Sequence, residues 1–187
     1  MTVTGTEVRK VTYQQNRMNE YARLFYALWP DEATRAHLKR LQESVIGRKV
    51  SPEHLHMTLA FLGNQAKSLL PALAKLLDKL PGQSFTLGID RYGYFSKPRI
   101  AWAGPSETPS PLMQLQQSLM HELNEAQVPI KPEGKFTPHV TLARDANSLN
   151  EPFAPGVPWR VGKIMLIQSV QVKGGVIYSP IMEKVLA

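Results

Sequence analysis

Apolar residues first crowd together at residues 23–30 (RLFYALWP), a short run that reads as a buried strand. Asp31 follows as a helix N-cap, with Glu32 in the first turn. Thr34, Leu38, Leu41 and Val45 recur at helical spacing, and Gly47 marks the stop. A strand is expected over about 56–63, then a second helix over about 69–80, ended by Pro81-Gly82. Residues 84–89 (SFTLGI) alternate as a strand does. Residues 92–95 and 99–103 continue the β pattern around a turn at Lys97-Pro98. Ser110 caps a third helix with Pro111 at its first position, and Leu112, Leu115, Leu119, Leu123 and Ala126 form its apolar stripe. Another strand covers about 139–144, and a Pro/Gly-rich loop covers 151–158. Two terminal strands, about 163–172 and 176–185, are joined at Lys173-Gly174-Gly175. Helices too few for every strand, plus hairpins, predict an α+β fold with antiparallel sheet.

Two of these strands begin alike. His56-Met57-Thr58-Leu59 and His139-Val140-Thr141-Leu142 repeat one His-x-Thr-Leu pattern, using two of the chain's 5 histidines. Side chains alternate along a strand, so His and Thr share one face while Met57/Leu59 and Val140/Leu142 take the other. The repeat predicts two similar lobes, each offering an imidazole to a shared cleft. Outside it the halves show little similarity. Residues 1–22 are polar with a slight basic bias from Arg9, Lys10 and Arg17, and read as an extension ahead of one bilobal domain over 23–187.

Composition narrows the partners. The formal charge is +7, which favours nucleic acid, nucleotides or another anionic surface. With Cys at 0, disulfides and thiolate metal sites are excluded, and a reducing compartment fits. No apolar run reaches the ~20 residues a membrane helix needs, and no signal peptide is visible. The expectation is a cytoplasmic monomer with no obligate protein partner. Phosphate-binding P-loop, dinucleotide Gly-x-Gly-x-x-Gly and Gly-x-Ser-x-Gly patterns are all missing.

Histidine titrates near pH 6.5, so of two imidazoles one can serve as base and the other as acid. Set on opposite sides of a reacting centre, they could deprotonate a nucleophile and protonate a leaving group. Thr58 and Thr141 could hold oxygens of the same substrate, an arrangement suited to a phosphodiester. The plainer alternative makes each His a satisfied strand residue beside a β-favouring Thr. Arg144 could clamp a phosphate through its planar fork, although strict alternation turns it away from His139. His54 and His56 share a face, and with His139 they could form a three-histidine zinc set, but no His-Glu-x-x-His helix supports it. His121 reads as a surface residue and His37 as structural. Lys67, Lys75 and Lys79 read as an exposed helix face. Tyr92, Tyr94, Phe95 and Trp102 suit core packing better than base stacking, and Phe61 also reads as core.

The segments HLHMTLAFLG (54–63) and FTPHVTLARDA (136–146) resemble the two signature motifs of the 2H phosphoesterase superfamily. RLFYALWPDE (23–32) resembles its first strand, and the likeness runs over about residues 22–185. Within the superfamily the chain is most similar to the bacterial RNA 2′,3′-cyclic phosphodiesterases, also called 2′-5′ RNA ligases. The resemblance implies a bilobal fold whose two antiparallel sheets line a central cleft, with helices outside. It implies metal-independent hydrolysis of RNA 2′,3′-cyclic phosphate ends, or small cyclic nucleotides, to a 2′-phosphate. It assigns His56 as the acid, His139 as the base, and Thr58, Thr141 and Arg144 to phosphate binding. Ligation would be the reverse reaction without ATP. The chain departs from the pattern at His54, where relatives often carry Asn, and in its extension. A module that binds RNA phosphate ends without turnover remains the competing reading.

Overall fold

The computed structural model describes residues 20–131, 134–149 and 156–187. The extension up to residue 19 and residues 151–155 of the expected loop lie outside the described residues. Ten strands and three α-helices are described in chain order. They are β1 (Tyr21–Leu28), α1 (Glu32–Leu41), β2 (Arg48–Lys49), β3 (Met57–Ala66), α2 (Leu70–Lys79), β4 (Phe85–Ile89), β5 (Arg91–Phe95) and β6 (Ile100–Gly104). The series continues with α3 (Ser110–Glu125), β7 (Val140–Arg144), β8 (Val157–Val161), β9 (Lys163–Val172) and β10 (Gly175–Val185).

The main sheet is 8-stranded, in the order β10-β9-β1-β3-β7-β6-β5, with β2 added to β7. Every pairing in it is antiparallel. It is built as two half-sheets, because β3 and β7 pair through one residue couple alone, Met57 with Val140. These residues directly follow His56 and His139, so the repeated motifs meet where the halves join. Strands β4 and β8 form a separate two-stranded sheet.

One face of the main sheet carries the core. Leu24, Met57, Leu59, Val140 and Leu142 point into it, together with Leu38 of α1, Leu77 of α2 and Leu119 of α3. The predicted stripe of α3 holds at Leu112, Leu115, Leu119 and Leu123, each buried. Each such leucine contributes about 1.5–3 kcal/mol. Ala126 has left the helix and is exposed. Asp31 caps α1 as expected, its side chain accepting from the Thr34 N–H at 2.7 Å. That bond holds the Asp31 carboxyl below its ordinary pKa.

Three expectations need correction here, and two strands were not foreseen. Helix α1 ends at Leu41 rather than near Gly47, yet Val45 still reaches the core from the turn beyond it. Gly47 sits at φ +151, where an added Cβ would meet the Ala146 Cα at 2.8 Å. His37 is exposed and not structural. Ser110 lies inside α3, with Pro109 as the capping residue. Strands β2 and β8 were not legible: the first has two residues, and the second begins in the Pro/Gly-rich segment.

Candidate active site

The opposite face of the main sheet opens as a cleft of about 1080 Å³. His56, Thr58, His139, Thr141 and Arg144 all line it, so the structure brings the five predicted site residues together. Among its described lining residues Arg23, Arg48, Lys49, Lys135 and Arg144 are cationic, and none is Asp or Glu. Asp145 pairs with Arg48 at 3.1 Å from outside the lining. Such a wall favours an anion.

Both imidazoles are held the same way. His56 Nδ1 lies 2.6 Å from its partner, the His54 carbonyl, and His139 Nδ1 lies 2.7 Å from the Thr137 carbonyl. A carbonyl only accepts, so each Nδ1 carries its proton and donates. Each Nε2 is left with a lone pair in the neutral ring. The shared i−2 geometry fixes tautomer and orientation by local backbone alone, as a metal ligand or general base requires.

Their surroundings differ. Trp29 stacks on His56 with centroids 5.2 Å apart and planes at 2°. Phe25 lies 5.0 Å from the same ring, and Tyr178 meets it edge-on at 5.4 Å. Phe25, Ala27, Met165 and Ile167 form a small second core beneath this face, with Trp29 and Tyr178 against it. Burial among these rings drives the His56 pKa down to about 4, against a weaker upward pull from the His54 carbonyl. Charges on His139, His54 and Arg144 push in the same direction as burial. His139 sits against Phe95 at 5.0 Å and Trp102 at 6.0 Å, and burial lowers its pKa as well. Arg144 lowers it further.

Arg144 reaches the cleft because β7 is bulged. Ala101 pairs with Ala143 and Trp102 with Thr141, which leaves Leu142 as the extra residue. The bulge reverses the alternation, so Ala143 is buried and Arg144 turns to the cleft face. Strand β3 does the same at Leu59, between the pairs Thr58–Ala27 and Ala60–Tyr26. Phe61, expected in the core, is therefore 36% exposed and lines the cleft. Phe95 also lines it, whereas Tyr92 and Tyr94 pack on the core and bond to the carbonyls of Leu41 and Ala146.

His54 lies in a short 3₁₀ turn, its ring against Tyr178 at 4.6 Å. Among the described residues no group of three His, Asp or Glu side chains could hold a metal ion. The three-histidine zinc set therefore lacks its geometry. His121 is exposed, as expected. Sequence reasoning missed Phe25, Trp29 and Tyr178. Phe25 and Trp29 were hidden inside an apolar run, and Tyr178 lay in a strand with no motif of its own.

Trp102 is held over Gly93, its cross-strand partner. A Cβ there would fall 2.0 Å from the indole. Gly93→Ala is expected to push Trp102 onto Phe95 and His139, costing about 1–3 kcal/mol of overpacking. Urea unfolding of the variant measures it. An unchanged midpoint would show that the indole has room to move.

Two half-sheets, each ending in a His-x-Thr strand at one cationic cleft, make this an α+β fold of the 2H phosphoesterase type. The 2'-5' RNA ligase superfamily profile matches residues 29–171, and the chain belongs to that superfamily. It is 30% identical over 170 residues to the RNA 2',3'-cyclic phosphodiesterase of Escherichia coli strain K12, covering 88% of this chain and 96% of that one. The protein of the same name from Thermus thermophilus is 33% identical over 180 residues, covering 87% and 88%. The crystal structure of E. coli LigT complexed with 3'-AMP superposes with TM-score 0.81 at 28% identity, over 89% of this chain and 99% of that one.

Proposed function

We propose that residues 23–187 act as one bilobal domain that hydrolyses RNA 2′,3′-cyclic phosphate ends, or small cyclic nucleotides, to 2′-phosphates. The observation that carries this reading is the matched pair of imidazoles, both protonated at Nδ1 and both lining one cleft whose described lining residues include no carboxylate. The names of the relatives support the same reaction.

The neutral His139 ring takes a proton from water at Nε2 as the water oxygen attacks phosphorus. The P–O3′ bond breaks, and a protonated His56 gives its Nε2 proton to O3′. The product carries a 2′-phosphate and a 3′-hydroxyl. Thr58 and Thr141, each two residues past its histidine, donate to the non-bridging oxygens, and Arg144 balances their charge. A 5′-hydroxyl in place of water would give a 2′-5′ linkage by the same proton transfers, without ATP. The two roles follow the family resemblance. Burial of His56 opposes its protonation in the free protein, so the acid role depends on the substrate anion drawing a proton onto that ring.

The test is turnover of a short RNA ending in a 2′,3′-cyclic phosphate, in EDTA, with the product isomer read by phosphorus NMR. A 2′-phosphate is expected. Tight, salt-sensitive binding without turnover would instead make the cleft a phosphate-end binding module.

A further inference from the structure

The two motif strands are alike beyond their histidines. Met57-Thr58-Leu59-Ala60-Phe61 and Val140-Thr141-Leu142-Ala143-Arg144 share one sequence of buried and open positions. Both are bulged at the leucine, and both turn their fifth residue to the cleft. That residue is Arg144 in one half and Phe61 in the other. The aromatic ring is not left bare: the Arg23 guanidinium of β1 lies over it, 4.8 Å from the centroid. A cation is thus restored at the matching place from the neighbouring strand.

The two cations stand at different depths. The Arg144 charge bears on both histidines, whereas Arg23 is not among the charges that shift either ring. Phe61 lies three residues beyond Thr58, but the Leu59 bulge makes that advance equal to two residues of β1, roughly 7 Å along the strand and on the scale of one nucleotide unit. Among the described residues Arg23 has no carboxylate within ion-pair distance. Stacking on Phe61 fixes the guanidinium plane and leaves its N–H edge free for an acceptor.

We propose that Arg23, seated on Phe61, forms a second anion site, which takes a phosphate one nucleotide unit from the reacting phosphodiester. The inference rests on the proposed reaction for the position of the first phosphate. It makes nucleotides with an additional phosphate better ligands than those with the terminal phosphate alone.

Calorimetric titration with adenosine 2′-monophosphate and adenosine 2′,5′-bisphosphate tests it. Wild type is expected to prefer the bisphosphate by roughly tenfold, the scale of one charge-assisted contact. Arg23→Ala should bring the ratio of the two affinities below about threefold. Phe61→Leu, which keeps the charge and removes its platform, should give an intermediate ratio. Lys75→Ala removes the same charge from the exposed face of α2, outside the cleft, and should leave the ratio standing. A wild-type ratio near one would overturn the proposal, as would an Arg23→Ala loss of equal size for both ligands. An Arg23-dependent ratio in a protein that turns over no cyclic phosphate would sink the reaction and leave the anion site intact.

Discussion

His56→Ala and His139→Ala are each expected to lower kcat/KM on a 2′,3′-cyclic phosphate by about 10²–10⁴-fold, the usual contribution of one proton-transfer group. In the proposed reaction acid and base act on one transition state, so the two losses should not add. Both rings rest on a backbone carbonyl two residues earlier, and Met57 and Val140, which follow them, keep their own pairing when either ring is removed. Steady-state kinetics with substrate and product quantified by chromatography measures the effect. A loss below tenfold in either variant would remove that imidazole from the reaction.

The pH dependence should be equally marked. In the free protein the His56 pKa is about 4, and that of His139 also lies below its ordinary 6.5. The proposed reaction needs one ring protonated and the other neutral. The bell-shaped profile of kcat/KM is therefore expected to peak on the acid side of 6.5 and to fall tenfold per pH unit on its alkaline limb. The kcat profile should lie at higher pH, since a bound phosphodiester anion favours the charged imidazole. Trp29→Ala opens the stacked face of His56 to water and should move the kcat/KM profile upward. A flat profile between pH 5 and 9 would contradict the two-histidine reading.

The same lowered values bear on stability. Unfolded, His56 takes its proton near 6.5; folded, it does so only near 4. Between these values the unfolded chain binds more protons, so stability falls as the pH drops through this window. The loss from His56 is complete below about pH 4 and amounts to at most about 3 kcal/mol. His139 adds to it with the same sign. Urea titrations at pH 7, 5 and 4 should show a shallower decline in His56→Ala than in wild type.

Much of the site was legible because its chemistry is written on strands. His56, Thr58, His139 and Thr141 follow a period of two, and pattern alone puts each pair on one face. The helix stripes and the terminal hairpin were legible for the same reason. What escaped depends on strand register. Arg144 and Phe61 change face through bulges at Leu142 and Leu59, and no local residue announces a bulge there. Phe25 and Trp29 sit in a run buried on both sides, where periodicity vanishes. The basic Arg48–Lys49 strand is too short to carry any period, and only its pairing with Ala143 and Arg144 defines it.

The Met57–Val140 couple has a mechanical meaning. When two rigid plates swing about a common axle, points near the axle barely travel while the outer edges move far. Each histidine sits next to this axle, and the β9–β10 tip and β5 lie at the opposite outer edges. Any swing of one half-sheet against the other would therefore alter the mouth of the cleft more than the gap between the two imidazoles.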